Sequence, residues 1–280
     1  MAVIMDGRAL ARSYKERIAA QTAVMSHPPA LAVILVGNDP ASRTYVTNKE
    51  KDCAECGIIS KEYALSVDTK EEDLLSLLEK LNRQPEIDGV LVQLPLPAGI
   101  SEDKVIAAIN PSKDVDAFHP YNVGLIATGN PQFLPCTPAG ILALLDAYSI
   151  EIAGKHCVMV GRSNIVGKPM SLLLLGRNGT ITICHSQTPD LPHITRMADI
   201  LVTAVGRRDL ITGSMVKEGA VVVDVAMNRD ENGKFCGDVL FDEVMPKTSF
   251  ITPVPGGVGP MTRIMLLENT LTAARLHGKA

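Results

Sequence analysis

The stretch Val158-Met-Val-Gly-Arg-Ser-Asn-Ile-Val-Gly-Lys-Pro169 constrains the fold of this chain more than any other. An apolar run, His156 to Val160, meets a glycine turn at Gly161, and Gly167 then opens a Leu-rich helical segment. Strand, glycine turn and helix in that order bring backbone close to a dinucleotide pyrophosphate and aim helix N–H groups at it. The spacing departs from G-x-G-x-x-G, so the order of elements carries the reading rather than the fingerprint. The next strand, Thr180 to Cys184, selects the cofactor. NAD sites usually place Asp or Glu about 20 residues past the first glycine, where it holds the ribose 2′-hydroxyl. Here the strand runs into His185-Ser-Gln-Thr188 with no carboxylate, while Arg162 lies in the turn. A cation with hydroxyls suits a 2′-phosphate, so the expected cofactor is NADP.

The 280 residues suffice for two domains. Apolar residues make up 46%, too many for a disordered chain, and no apolar run nears the ~20 residues of a membrane span. A net charge of −4, scattered Lys and Arg, 4% aromatics and no Trp speak against nucleic acid as a partner. The N-terminal residues lack the charged and apolar segments of a secretory signal, so a cytoplasmic protein is expected. Six cysteines, at 53, 56, 136, 157, 184 and 236, fall mostly in apolar runs and read as small buried hydrophobes. Cys53-Ala-Glu-Cys56 has no second ligand pair for zinc and lies late in a helix, so it reads as helix packing; no metal is expected.

From Ala30 onward, short apolar runs alternate with helical stretches, as in a parallel α/β sheet. Strands are expected at Ala30–Val36, Ile58–Leu65 and Gly89–Gln93, with helices over Ala41–Cys56, Lys70–Asn82 and Glu102–Ile109. Residues 110–132 read as loop, broken by Pro111, Pro120 and Pro131. A helix through Ala139–Tyr148 follows, capped by Thr137. A second series has strands near His156–Val160, Thr180–Cys184, Ile200–Ala204, Ala220–Val225 and Phe250–Thr252, then a last helix over Met261–Leu276. The expected architecture is an N-terminal α/β substrate domain (residues 1–136) and a Rossmann-type NADP-binding domain (137–260). The terminal helix (261–280) would return to the first domain, and the active-site cleft would lie between the two.

Four constellations carry chemistry. Tyr45 and Lys49 are four residues apart on one helix face. A lysine desolvated beside a phenol can lose its charge and act near neutral pH. The pair is not that of short-chain dehydrogenases, in which the glycines precede it. Gln93 ends an apolar strand at Gly89-Val-Leu-Val-Gln93, the end at which α/β sheets bind ligands. Asp114 and Asp116 share a proline-flanked loop, in which one carboxylate could hold an amino-pyrimidinone edge while Asp114 organises the turn. His119 and His185 read as structural. Finally, Pro253-Val-Pro-Gly-Gly-Val-Gly-Pro-Met-Thr262 brings three glycines to the start of a helix and reads as a ligand contact through Pro255, Gly256 and Gly257.

Taken in order, these segments closely resemble the bifunctional methylenetetrahydrofolate dehydrogenase/cyclohydrolase family. The markers are Ser42-Arg-Thr-Tyr-Val-Thr-Asn-Lys49, Asp88 to Pro97, Lys113-Asp-Val-Asp116, Pro135-Cys-Thr-Pro138, Gly161 to Pro169 and Pro253 to Thr262. The resemblance implies reduced folates as small-molecule substrates and a homodimer. It implies Lys49 as the key cyclohydrolase residue, Tyr45 and Gln93 shaping its hydrogen bonding, and Asp116 holding the pterin. For NADP it implies Gly161, Arg162, Ser163 and Ser186, with Ile165 and Met227 beside them. Two departures stand out: Ala117 where the family usually has Gly after Asp-Val-Asp, and Ala226-Met227 where it usually reads Gly-Ile. A monofunctional NAD(P) dehydrogenase acting on another small substrate is the alternative, and a nucleotide sensor without turnover is a third reading.

Overall fold

The computed structural model describes residues 2–279. In chain order its first elements are β1 (Val3–Ile4), α1 (Gly7–Thr22), β2 (Ala30–Val36), α2 (Pro40–Glu55), β3 (Ile59–Leu65), α3 (Glu71–Arg83) and β4 (Gly89–Val92). Three helices follow: α4 (Glu102–Ala108), α5 (Pro120–Ala127) and α6 (Cys136–Ala147). Then come β5 (His156–Val160), α7 (Gly167–Gly176), β6 (Thr180–Cys184), α8 (Leu191–Thr195), β7 (Ile200–Thr203) and β8 (Ala220–Asp224). The last elements are β9 (Asn228–Arg229), β10 (Phe235–Cys236), α9 (Phe241–Val244), β11 (Thr248–Ile251) and α10 (Val258–Leu276). They divide into two compact units, one of residues 12–136 with 263–280 and one of 1–11 with 137–262. All of α10 after its first five residues therefore belongs with the N-terminal sheet, and the first eleven residues of the chain with the later one.

In the unit of residues 12–136, three parallel strands run in the order β3-β2-β4. Every residue of the central strand β2 is buried, which is why its sequence is an unbroken apolar run rather than an alternation. On α3, Leu74, Leu78 and Leu81 recur at helical spacing and bury against this sheet. Acidic Glu71, Glu72 and Asp73 open α3, while Lys80 and Arg83 close it, each charge complementing the helix dipole. Lys113 adds a cap from outside, its Nζ donating to the carbonyls of Leu81 and Gln84 at 3.0 and 2.7 Å.

The other unit holds a six-stranded parallel sheet in the order β1-β11-β8-β7-β5-β6. The chain lays β6 on one side of β5 and then crosses to lay β7 on the other. This reversal leaves a crevice beyond the carboxyl end of β5, where doubly wound sheets take their ligands. Gly161 follows directly.

Helix α1 lies where the sequence reading assigns no element, and helix α5 corrects that reading. Residues 7–22 form α1, whose Asp6 side chain accepts the amides of Arg8 and Ala9. Residues 120–127, read as loop, form α5: Pro120 stands at the helix start, where its missing N–H costs nothing, and His119 Nδ1 accepts the Tyr121 amide at 3.0 Å. No helix among the described residues is long and apolar enough to cross a membrane.

Candidate active site

The α2 start is set by Asp39, whose side chain accepts the Ser42 amide at 2.7 Å, and by Pro40 behind it. The helix then carries Tyr45, Lys49, Asp52 and Cys53. Gln93 lies just past β4 and keeps its ladder bond to Ile34, so its side chain stands at the strand's carboxyl end. Lys49 Nζ donates to Gln93 Oε1 at 3.0 Å, and Gln93 Nε2 donates to the Leu94 carbonyl at 2.7 Å. Lys49 is half-buried, and its pKa is lowered from the ordinary lysine value by desolvation, an effect that the Asp116 charge opposes. Tyr45 is 36% exposed, and burial of the rest raises its pKa. Asp116 is likewise raised by burial, with Lys49 pulling it down. The structure thus brings together Lys49, Gln93 and Asp116, with Tyr45 one helical turn before Lys49 on α2.

Three further residues, none of them given a site role from the sequence, complete this pocket. Cys136 hydrogen-bonds Asp116 through its buried thiol, which also donates to the Val115 carbonyl at 3.4 Å. Asn269 on α10 donates to the carbonyls of Val115 and Leu134 at 2.7 and 2.8 Å, clamping the residue before Asp116. Arg263, also on α10, lies 2.9 Å from Asp52, which Lys15 pairs at 2.5 Å from the other side. Cys136 lies in the marker segment Pro135-Cys-Thr-Pro138, whereas no sequence signal marks Asn269 or Arg263, whose partners are distant in the chain. Cys53 and Cys56 are buried with thiols pushed up to about 12 and about 11, the state of packing residues rather than reactive thiolates.

Asp114 is the turn organiser. It accepts the His119 amide and Asn122 Nδ2, each at 2.8 Å. In the same loop Ala117 adopts φ +58, the left-handed conformation that favours glycine, whereas Ala226 does not. The first departure is therefore strained and the second is not.

At the β5 turn Gly161 has φ +126, and a Cβ there would lie 2.6 Å from the Ala204 carbonyl oxygen. One at Gly167 would lie 2.4 Å from the Gly161 oxygen. Both glycines are thus required by close backbone approach. The helix amides correct the sequence reading. Ser163 Oγ accepts Val166 N and Gly167 N, both at 3.2 Å, and Ser163 O accepts Lys168 N at 3.0 Å. Ser163 thus holds the turn that leads into α7, and the amides of residues 166–168 are already taken. The amides of residues 162–165, in contrast, donate to no protein carbonyl among the described residues. Arg162 and Ser186 are exposed and enter no ion pair or hydrogen bond among those residues, and Ile165 is 38% exposed. Met227, 41% exposed, points its sulfur towards Gly259. Loop amides, a free guanidinium and a hydroxyl fit a phosphate-bearing dinucleotide.

The Pro253–Thr262 turn has a further explanation. A Cβ at Gly257 would lie 2.7 Å from Thr252 Cβ, and Gly7 packs so closely that its own Cβ would lie 1.8 Å from the Gly257 oxygen. Chain-on-chain packing accounts for Gly257, while Gly256 takes φ +119 and Pro255 stays exposed.

These features define a two-unit α/β enzyme with a dinucleotide crevice in one unit and a lysine–amide–carboxylate pocket in the other. The sequence model described as the tetrahydrofolate dehydrogenase/cyclohydrolase catalytic domain matches residues 5–116, and the one described as that family's NAD(P)-binding domain matches residues 135–278. The bifunctional protein FolD of Acetivibrio thermocellus is 55% identical over 281 residues, covering 99% of each chain. The crystal structure of the bifunctional enzyme FolD from Campylobacter jejuni superposes with a TM-score of 0.97 at 48% identity, covering 99% of each chain. The Trypanosoma brucei enzyme, solved with NADP and an inhibitor, gives 0.95 at 37%, covering 100% of this chain and 99% of that one. The chain belongs to the tetrahydrofolate dehydrogenase/cyclohydrolase family.

Proposed function

We propose that this bifunctional methylenetetrahydrofolate dehydrogenase and cyclohydrolase uses Lys49 as its proton acceptor, Gln93 and Tyr45 to position that amine, and Asp116 to hold the pterin. The enzyme oxidises 5,10-methylenetetrahydrofolate to the methenyl form and hydrolyses that to 10-formyltetrahydrofolate. The observation that carries the assignment is Lys49 Nζ, desolvated and fixed on Gln93 Oε1 at 3.0 Å.

NADP, when bound, supplies the hydride acceptor. Arg162 and Ser186 would take its 2′-phosphate, with Gly161, Ser163, Ile165 and Met227 around the rest. Oxidation releases no hydroxyl proton, so the residues around the substrate need only align it. Hydrolysis is different, because water adding to the methenyl carbon must lose a proton. A neutral Lys49 amine can accept it, whereas a permanent ammonium would repel the cationic substrate. The paired hydrogen bonds of the Asp116 carboxylate suit the amino-pyrimidinone edge. Pro255, Gly256 and Gly257 would contact the same substrate. A homodimer and a cytoplasmic location complete the reading, the first to be checked by sedimentation.

Purified protein given methylenetetrahydrofolate and NADP should form NADPH and methenyltetrahydrofolate, and the latter should then decay faster than in buffer. Binding of NADP without any absorbance change would instead favour a sensor.

A further inference from the structure

The Asp238 carboxylate is fully buried at the carboxyl end of the six-stranded sheet. Its Oδ2 accepts Thr203 Oγ1 at 3.0 Å and Val205 N at 2.8 Å, and its Oδ1 accepts Arg207 N at 2.6 Å and Asn228 Nδ2 at 3.1 Å. These donors come from the end of β7 with the loop that follows it, and from Asn228, which opens β9 directly after the loop that leaves β8. A second buried carboxylate sets Asp238 itself. Asp224 Oδ1 accepts the amides of Asp238 and Ala226 at 3.1 and 3.2 Å, and Oδ2 accepts Val239 N at 2.9 Å. Gly237, between them, cannot carry a side chain, since its Cβ would lie 1.8 Å from Asp224 Oδ2. Among the described residues no Lys, Arg or His pairs with either acid. Burying a carboxylate without a cation is costly, and hydrogen bonds from fixed loops must offset it.

The loops so held stand at the dinucleotide crevice. Ala204 N donates to Val160 O at 2.9 Å, and the Ala204 oxygen lies where a Gly161 side chain would start. The second loop carries Met227.

We propose that Asp238 is a positioning residue for the dinucleotide, its carboxylate fixing residues 204–207 and 226–228 as walls of the crevice that begins at Gly161. The proposal rests on NADP occupying that crevice. Asp238 acts through Val205, Arg207 and Asn228 and touches no ligand itself. Its effect is confined to the dehydrogenase reaction, because hydrolysis of the methenyl compound needs no dinucleotide.

The test is Asp238→Asn, whose amide group turns an acceptor into a donor facing donors already in place. The KM for NADP should rise roughly tenfold or more, the scale of one charge-assisted hydrogen bond. The KM for methylenetetrahydrofolate and the rate of methenyl hydrolysis should stay within about twofold of the parent, following the same separation of sites. Thr203→Val, which removes one hydroxyl donor at near-constant volume, should move the same constant by a few-fold. Hydrolysis falling in parallel with dehydrogenase activity would reduce Asp238 to a folding residue. An unchanged KM for NADP in folded Asp238→Asn, or in Thr203→Val if the first variant does not fold, would overturn the proposal. Absence of NADPH formation by the parent protein would instead remove the functional reading beneath it.

Discussion

Lys49 Nζ and Gln93 Oε1 meet at 3.0 Å, with the amide held in that orientation by its own bond to the Leu94 carbonyl. The lysine therefore faces an oxygen that cannot turn away, on the side where burial has already weakened its hold on a proton. Replacing Lys49 with Met keeps much of the volume and removes the amine. Methenyl hydrolysis should fall by roughly 10²–10⁴, the usual range for a general base, with dehydrogenase activity reduced less and methenyl product accumulating. Hydrolysis by this variant near the parent rate, above the spontaneous background, would assign the proton transfer to another group.

Asp116→Asn should damage both activities together, seen as a raised KM for either folate. The amide loses one acceptor and presents an NH₂ to a donor. Asp114→Asn is the contrast: its carboxylate serves the His119 amide and Asn122, so the loss should appear in the melting curve. Unchanged folate affinity in Asp116→Asn would remove that residue from the pterin.

Arg162→Ala should raise the KM for NADP far more than that for NAD. A charge-assisted contact is worth about 1.5–3 kcal/mol, or roughly 10- to 100-fold. Equal losses with both cofactors would show that the guanidinium does not read the 2′-phosphate.

Ala117→Gly should stabilise the protein. The left-handed conformation costs a side-chain-bearing residue about 1–2 kcal/mol, and the extra chain entropy of glycine returns part of this, leaving a gain of about 0.5–1 kcal/mol. Chemical denaturation would register it as a higher midpoint at constant slope. A lower midpoint would mean that the Ala117 methyl, which is buried, contributes more through packing than it costs in strain.

Burial pushes the Asp224 carboxyl up to about 7, although three amides donate to it. A raised acid binds its proton more tightly in the folded state, so its contribution is fully present below the unfolded value and is lost as pH rises from about 4 to about 7. The full span corresponds to ~4 kcal/mol as an upper figure. In Asp224→Asn that slope should vanish, so the variant's deficit relative to the parent should be largest near pH 4 and shrink towards pH 8. Parallel stability curves for the two proteins across this interval would contradict the shift.

Legibility in the sequence followed the range of the interactions. The strands β2 and β5 and the turn at Gly161 announce themselves because unbroken apolar runs and glycines are local signals. Local signals mark Tyr45, Lys49 and Gln93 only as candidates, one pair by helical spacing and one residue by its place at a strand end; the family resemblance is what implies their roles. Helix α5 was not, because Pro120 breaks a helix in its interior but starts one at its first position, and only the His119 cap distinguishes the two. Ser163 reads as a ligand contact, and its hydroxyl has a second role that no local pattern announces, accepting the amides three and four residues on. Asn269, Arg263 and Asp238 were beyond reach, since what they bind lies tens to more than a hundred residues away.

Asn269 clamps the Val115 carbonyl across 154 positions of the chain. During synthesis the ribosome delivers Lys49, Gln93 and Asp116 long before it delivers α10, and the whole of residues 137–262 emerges in between. The unit made first in sequence is thus the last to be closed, and the loop bearing Asp116 stays unclamped until the final turns of helix arrive. A nascent chain would therefore hold every strand of the dinucleotide sheet before it held the clamp on the Asp116 loop.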